Sequence, residues 1–200
     1  MIKVSGCGLV GKNNSIASAD TYAIRSFGKN IDISNNNVEI TNTRTSSNAY
    51  GVYQLGRLNI CRGGVADNAI TINVTADQAT YGIYASGVDG PGRAIKANKI
   101  TIDDSRGTRT DYAYGIYVND TQNSVLFNII DLVNAHATYD VAIRFPVNAD
   151  SNIAVENTFM NVGQKVWNLG SGNIIGPNGE PGVNMAPSDG QFARQFMGTV

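Results

Sequence analysis

Charge is scarce in this 200-residue chain: 16% of the residues are Asp, Glu, Lys or Arg, against about 25% in an ordinary soluble domain. Fifteen basic and sixteen acidic residues leave a formal charge of −1. With no excess of either sign to neutralise a phosphate backbone or an anionic bilayer, nucleic acid and membrane are not expected as partners. Apolar runs are a few residues long, far from the ~20 that span a bilayer, and the opening MIKVSG lacks the apolar core of a secretory leader. Cys7 and Cys61 are too few for a disulfide framework and have no partner at metal-ligand spacing. The single histidine, His136, has no second imidazole with which to share a metal and no Ser or Cys placed to use it as a base, and reads as an exposed loop residue. No metal or cofactor is expected. Helical periodicity is not sustained anywhere before residue 190.

What the chain has instead is turn formers, 22 glycines and 24 asparagines, and a repeat. One series runs Tyr22-Ala23-Ile24, Tyr50-Gly51-Val52-Tyr53, Tyr81-Gly82-Ile83-Tyr84, Tyr114-Gly115-Ile116-Tyr117 and Val141-Ala142-Ile143-Arg144, in steps of 28, 31, 33 and 27 residues. A second opens on Asn37, Asn68, Asn98, Asn128 and Asn157, each followed by alternating aliphatic residues. A weaker third includes Ile2-Lys3-Val4, Ile31-Asp32-Ile33, Asn59-Ile60, Ala94-Ile95, Val125-Leu126 and Ile153-Ala154. Short period-two segments rich in Ile and Val and bounded by Asn, Gly, Ser or Asp are strands. Because the same three strands return in the same order, like strands stack parallel and their inward Ile and Val pile into one lumen. The spacing therefore predicts an all-β fold, a parallel β-helix of about six three-strand coils over 1–175, followed by an extended arm over 176–200. The coils fall near 1–28, 29–57, 58–91, 92–121, 122–150 and a shorter last one. The general preference of parallel crossovers makes a right-handed turn the expectation.

The Asn-flanked Ile-x-Ile strands with a Tyr-Gly-Ile-Tyr strand resemble the right-handed β-helices of the pectate-lyase-like superfamily, most of all bacteriophage tailspike and tail-fibre domains. The resemblance implies a virion part, a homotrimeric shaft or spike segment located on the phage particle, with host surface polysaccharide as a further partner. It equally admits an enzyme, a glycoside hydrolase or polysaccharide lyase of the depolymerase type, because this architecture carries both. The acidic calcium-binding nonapeptide of secreted epimerases and the pectate-lyase signatures are absent, and the short loops favour the structural alternative.

Asparagine at the corners has a local reason, since it tolerates positive φ and can hydrogen-bond from coil to coil. With Ile24, Val52, Ile83, Ile116, Ile143 and Val166 inward, alternation turns Arg25, Tyr53, Tyr84, Tyr117, Arg144 and Trp167 outward. It also places Ala23, Gly51, Gly82, Gly115 and Ala142 outward, as a flat strip. Three uses of this face stay open: cover for the sheet, a contact between subunits, and a platform for sugar rings. On the second series Asp103 and Asp131 face outward on adjacent coils. Their diagonal of roughly 8 Å falls within the ~6.5–9.5 Å that an inverting glycosidase needs between its carboxyl groups. The following segment 104–111, with Asp104, Arg106, Arg109 and Asp111, is the densest charge cluster and is expected to project into solvent from a corner. An uncovered first coil exposes strand edges and lumen, which predicts another virion protein docked at the N-terminal end. Phe192 and Phe196, four apart at the end of the arm, are expected to dock on a neighbouring subunit.

Overall fold

The computed structural model describes residues 2–5, 8–13, 20–27, 31–42, 48–57, 64–75, 79–88, 93–106, 111–136 and 138–179. They form a parallel β-solenoid with three sheets, one on each side of the coil. The first sheet stacks Ile2–Ser5, Ile31–Ser34, Gly64–Ala66, Ala94–Lys96, Ser124–Leu126, Ile153–Val155 and Ile174–Ile175. The second stacks Gly8–Asn13, Asn37–Asn42, Ala69–Val74, Lys99–Asp104, Ile129–Val133 and Thr158–Met160. The third stacks Thr21–Phe27, Ala49–Arg57, Thr80–Val88, Ala113–Asn119, Asp140–Phe145 and Gln164–Asn168.

Register turns the repeat into a core. Ile33, Val65, Ile95, Val125, Ala154 and Ile175 stand above one another in the first sheet. Val38, Ile70, Ile100, Ile130 and Phe159 do so in the second, and Ile24, Val52, Ile83, Ile116, Ile143 and Val166 in the third. Nearly all of these are sealed from solvent. Each fully buried Ile or Val contributes ~1.5–3 kcal/mol relative to exposure. Two strands depart from expectation. The third coil's strand in the first sheet is Gly64–Ala66, with Val65 between Ile33 and Ile95, in place of Asn59-Ile60, which lies outside the described residues. Gly8–Asn13, in which Gly11 pairs with Ile40, has too little aliphatic alternation to announce itself.

The corner between the first and second sheets repeats one four-residue pattern: an inward aliphatic residue, an outward residue, a residue at positive φ, and an asparagine. The positive φ falls on Asn35, Asp67, Ala97, Phe127 and Glu156, between 53° and 56°. Asn35 meets the expectation of a left-handed corner asparagine, whereas Asn98, Asn128 and Asn157 follow the left-handed residue and are not left-handed themselves. Asn36, Asn68, Asn98, Asn128, Asn157 and Asn178 instead form a ladder. Each side-chain carbonyl below accepts from both the backbone N–H and the amide of the asparagine above, at 2.9–3.1 Å. The spare amide hydrogen of Asn98 goes to the Val65 carbonyl, 2.8 Å away. A buried amide must have partners, and a rung supplies them. Asn178 and Gly179, which bonds Phe159 and Asn157, carry the coil pattern past residue 175. A second ladder, Asn123–Asn152–Asn173, holds the corner between the third and first sheets. Above it the buried Arg93 donates to Asp120 at 3.0 Å and to the Ser86 carbonyl at 2.9 Å.

The expected solvent-facing charge cluster is partly an interior one. Asp104 takes the inward place that Val74 holds one coil earlier and is fully buried. Arg106 folds back on it: Nε donates to Asp104 Oδ1 at 2.7 Å, and Nη2 donates to Asp104 Oδ2 and lies 3.7 Å from Asp140. A carboxylate on an inward strand position requires such a partner, because its solvation is lost. Asp111 is exposed, and Arg109 lies outside the described residues.

The glycine column is also reversed. A Cβ on Gly82 would stand 2.5 Å from the Gly115 carbonyl oxygen and 2.5 Å from Ile100 Cγ2, so this position faces the interior where the second and third sheets meet. Gly51 and Gly115 face Ile70 and Ile130 in the same way. No flat outer strip exists there. Neither neighbour of Gly82 is a flexible chain end, so Gly82→Ala is expected to destabilise the solenoid by about 1–3 kcal/mol through overpacking. A denaturant midpoint unchanged from the parent chain would show that the corner has room.

Candidate functional site

The outer face of the third sheet follows from that glycine column. Gly51 and Val52 both turn inward, so strict alternation is broken by one residue and Tyr50 and Tyr53, three apart, emerge on the same side. The same happens at Tyr81 and Tyr84 and at Tyr114 and Tyr117. Two tyrosine columns result. The inner one stacks Tyr22, Tyr50, Tyr81 and Tyr114 with ring centroids 4.8, 4.8 and 5.3 Å apart. The outer one stacks Tyr53, Tyr84 and Tyr117 at 5.0 and 5.1 Å, with planes within 9° of parallel. The columns meet edge to face, the arrangement the aromatic quadrupole favours.

Cations close both ends. The Arg25 guanidinium lies 4.6 Å from the Tyr22 ring and 4.7 Å from that of Phe27, an exposed side chain. The buried Arg144 stands 3.5 Å from the ring of Trp167. Cation–π attraction of this kind strengthens as water is removed. Thus Arg25, Tyr53, Tyr84, Tyr117, Arg144 and Trp167 form one continuous column, each in register with the next. The inner column went unanticipated, although its signal was present: a tyrosine opens the same Tyr-Gly-Ile-Tyr motif in coil after coil.

Stacking decides what this wall can touch. Within each column the ring faces are turned to one another, so the surface consists of ring edges and hydroxyls repeated at the strand spacing of ~4.8 Å. Burial, joined at Tyr22 by its hydrogen bond to Asp20, raises the phenols of Tyr22 and Tyr114 from 10.0 to about 12. Burial pushes Tyr50 and Tyr81 further in the same direction. An unfolded chain ionises near pH 10 while the folded wall still holds its protons, so stability present below pH 10 is expected to fall as pH rises from 10 to 12. Phenolate absorbance followed beside circular dichroism checks this. Ionisation of the whole tyrosine set at pH 10 with the fold intact would contradict it.

The second candidate face is the outside of the second sheet. Asp131 pairs in register with Thr101, so Asp103, two residues on, lies diagonally from it on the adjacent coil. Each accepts from an asparagine one coil further on: Asp103 from Asn134 at 2.9 Å and Asp131 from Asn161 at 2.8 Å. Both asparagines are at positive φ. They also line a shallow, open groove of about 650 Å³ with Val133, Ala135, Val162 and Gly163. His136 is exposed at the neighbouring corner, its Nδ1 accepting from the Thr138 N–H. Among the described residues no three His, Cys, Asp or Glu side chains converge as metal ligands. Phe192 and Phe196 lie outside the described residues. Comparison with known protein families, with curated proteins and with solved structures finds no match for this chain.

Proposed function

We propose that the chain is a structural and adhesive segment of a virion spike or fibre, related to the pectate-lyase-like β-helices and closest in kind to the shafts of bacteriophage tailspikes. In this reading three copies associate side by side through the tyrosine wall. The observation that carries it is the self-stacked wall. Its ring faces are consumed by one another, which leaves no free face along the columns for a pyranose to stack on. A row of edges and hydroxyls repeating once per coil suits a partner with the same repeat, and a second copy of this chain has that repeat by construction. Cyclic symmetry about an axis parallel to the solenoid lets each copy offer the same column and closes the assembly. Other virion proteins at the N-terminal end and host polysaccharide on the open groove complete the reading. Light scattering is expected to return three times the 21.3 kDa chain mass. Tyr84→Ser is expected to shift the assembly toward monomer, whereas Asp103→Asn leaves it intact. A monomeric parent chain overturns the proposal.

A second reading, a polysaccharide depolymerase, is favoured by one arrangement: Asp103 and Asp131 on adjacent coils beside the groove of Asn134 and Asn161. Their diagonal of roughly 8 Å leaves room for the water of an inverting mechanism. Capsular or O-antigen polysaccharide incubated with the protein separates the two readings. New reducing ends that vanish in Asp103→Asn and in Asp131→Asn establish the enzyme, and none establish the binder.

A further inference from the structure

We propose that the outer tyrosine column is an oxidative cross-linking site, at which Tyr84 joins Tyr53 or Tyr117 through a carbon–carbon bond and staples consecutive coils together. Three observations of the single chain carry this; a second copy seated on the tyrosine wall would cover the column, so the link is expected on the wall where no copy covers it.

The first is proximity without freedom. Tyr53, Tyr84 and Tyr117 lie in register on hydrogen-bonded parallel strands, with centroids 5.0 and 5.1 Å apart and planes 9° and 8° from parallel. Neighbouring phenols are therefore held about one coil spacing apart with their planes aligned. Holding two reacting groups side by side raises their effective concentration over that of a bimolecular coupling. The second is access. Tyr53, Tyr84 and Tyr117 are all partly exposed, whereas every neighbouring pair of the inner column includes Tyr50 or Tyr114, which are 6% and 8% exposed. An outer phenol that loses an electron can release its proton to water, and a buried one cannot do so directly. The third is the place of Tyr84. Tyr53 and Tyr117 are separated by two coils, about 10 Å, so Tyr84 is common to both stacked links of the outer column, whereas the other partly exposed pairs, Tyr22–Tyr53, Tyr81–Tyr84, Tyr81–Tyr117 and Tyr112–Tyr139, meet edge to face.

The step needs a one-electron oxidant of the photogenerated ruthenium(III) or peroxidase-intermediate class. Two neighbouring phenols each give up one electron to it and their hydroxyl proton to water. The two phenoxyl radicals pair to form a bond between ortho carbons. The hydrogens on those carbons then move as protons to the oxygens, restoring two phenols. Each link removes two electrons and two protons in all, and it closes a loop between residues 53 and 84 or between 84 and 117.

The test is visible-light oxidation of the full chain with tris(bipyridyl)ruthenium(II) and persulfate. The expected product shows dityrosine fluorescence, runs as a single chain on a denaturing gel, and yields by mass spectrometry a linked peptide pair containing Tyr84 and lighter by two hydrogens. Tyr84→Phe keeps the ring and its packing and is expected to remove at least nine-tenths of the fluorescence, while Tyr81→Phe retains it. Should either variant fold poorly by circular dichroism, the parent chain oxidised in urea serves instead, and its intrachain links are expected to be lost. Links only between chains, links that persist in Tyr84→Phe, or equal yield in urea would each overturn the proposal.

Discussion

An Ile116→Asp chain is expected to be insoluble or unfolded. Ile116 is wholly enclosed, with Ile83 and Ile143 in register on either side. The substitution removes an apolar contribution of ~1.5–3 kcal/mol and places a carboxylate in the lumen with no cation provided for it. Ionised or protonated, that group costs several kcal/mol more, and the sum is comparable with the whole ~5–15 kcal/mol stability of a domain. The parallel stack sharpens the effect, because a rung that leaves the column uncovers the rungs on both sides. Glu39→Gln, at an exposed place on the second sheet, is expected to stay within about 0.5 kcal/mol of the parent. Soluble yield and far-ultraviolet circular dichroism measure both. Equal behaviour of the two variants would show the inward and outward faces to be wrongly assigned.

The second large effect lies at the interior charge cluster. Arg106→Met is expected to cost about 3–5 kcal/mol, because it removes the cation beside the enclosed carboxylates of Asp104 and Asp140. The coil above suggests the rescue. In register with Asp104 and Asp140 stand Val74 and Ala113, so the same column already accepts apolar residues at these places. Adding Asp104→Val and Asp140→Ala to Arg106→Met is expected to recover most of the loss, since well-packed apolar replacements of buried ion groups are often neutral or stabilising. Denaturant midpoints of the single and triple variants decide it. A triple variant as weak as the single one would mean that these groups act through bonds outside the ion cluster, such as Arg106 Nη1 to the Asp111 carbonyl at 3.0 Å or the His136 N–H to Asp140.

These residues also show how far the chain could be read before its structure. The lumen was legible because a parallel stack makes one demand of every coil: Ile83, Ile116 and Ile143 differ little and recur at nearly fixed spacing. Position within a corner was less legible. Asn35, Asn36 and Asn37 are alike in type, and only the hydrogen bonds between coils single out Asn36 as the rung. Asp104 and Arg106 were placed in solvent because charged residues between strands usually are. Burial of Asp104 follows from its register with Val74, and Asp140, distant in sequence, comes within 3.7 Å of Arg106 by one turn of the coil. The tyrosine wall was half legible, since period-two alternation yields one outward tyrosine per strand and two consecutive inward residues yield two. Asp103 and Asp131 were placed on adjacent coils from strand register alone, whereas their partners Asn134 and Asn161 fall just beyond the strands, where alternation gives no direction.

The corner beside the asparagine ladder has a consequence for what can be written onto this scaffold. Its left-handed position is filled by Asn35, Asp67, Ala97, Phe127 and Glu156, all solvent-facing, although a left-handed backbone costs most residues roughly 1–2 kcal/mol. Five side chains of different chemistry in one conformation mean that the ladder behind them, and not their own preference, sets the turn. The row is therefore a ruler with interchangeable marks about 4.8 Å apart. Filled with acidic groups it would place neighbouring charges within the ~8 Å screening length of physiological salt. Such an edge would hold its protons more tightly than five separate carboxylates, and would take up or release them as ionic strength changed.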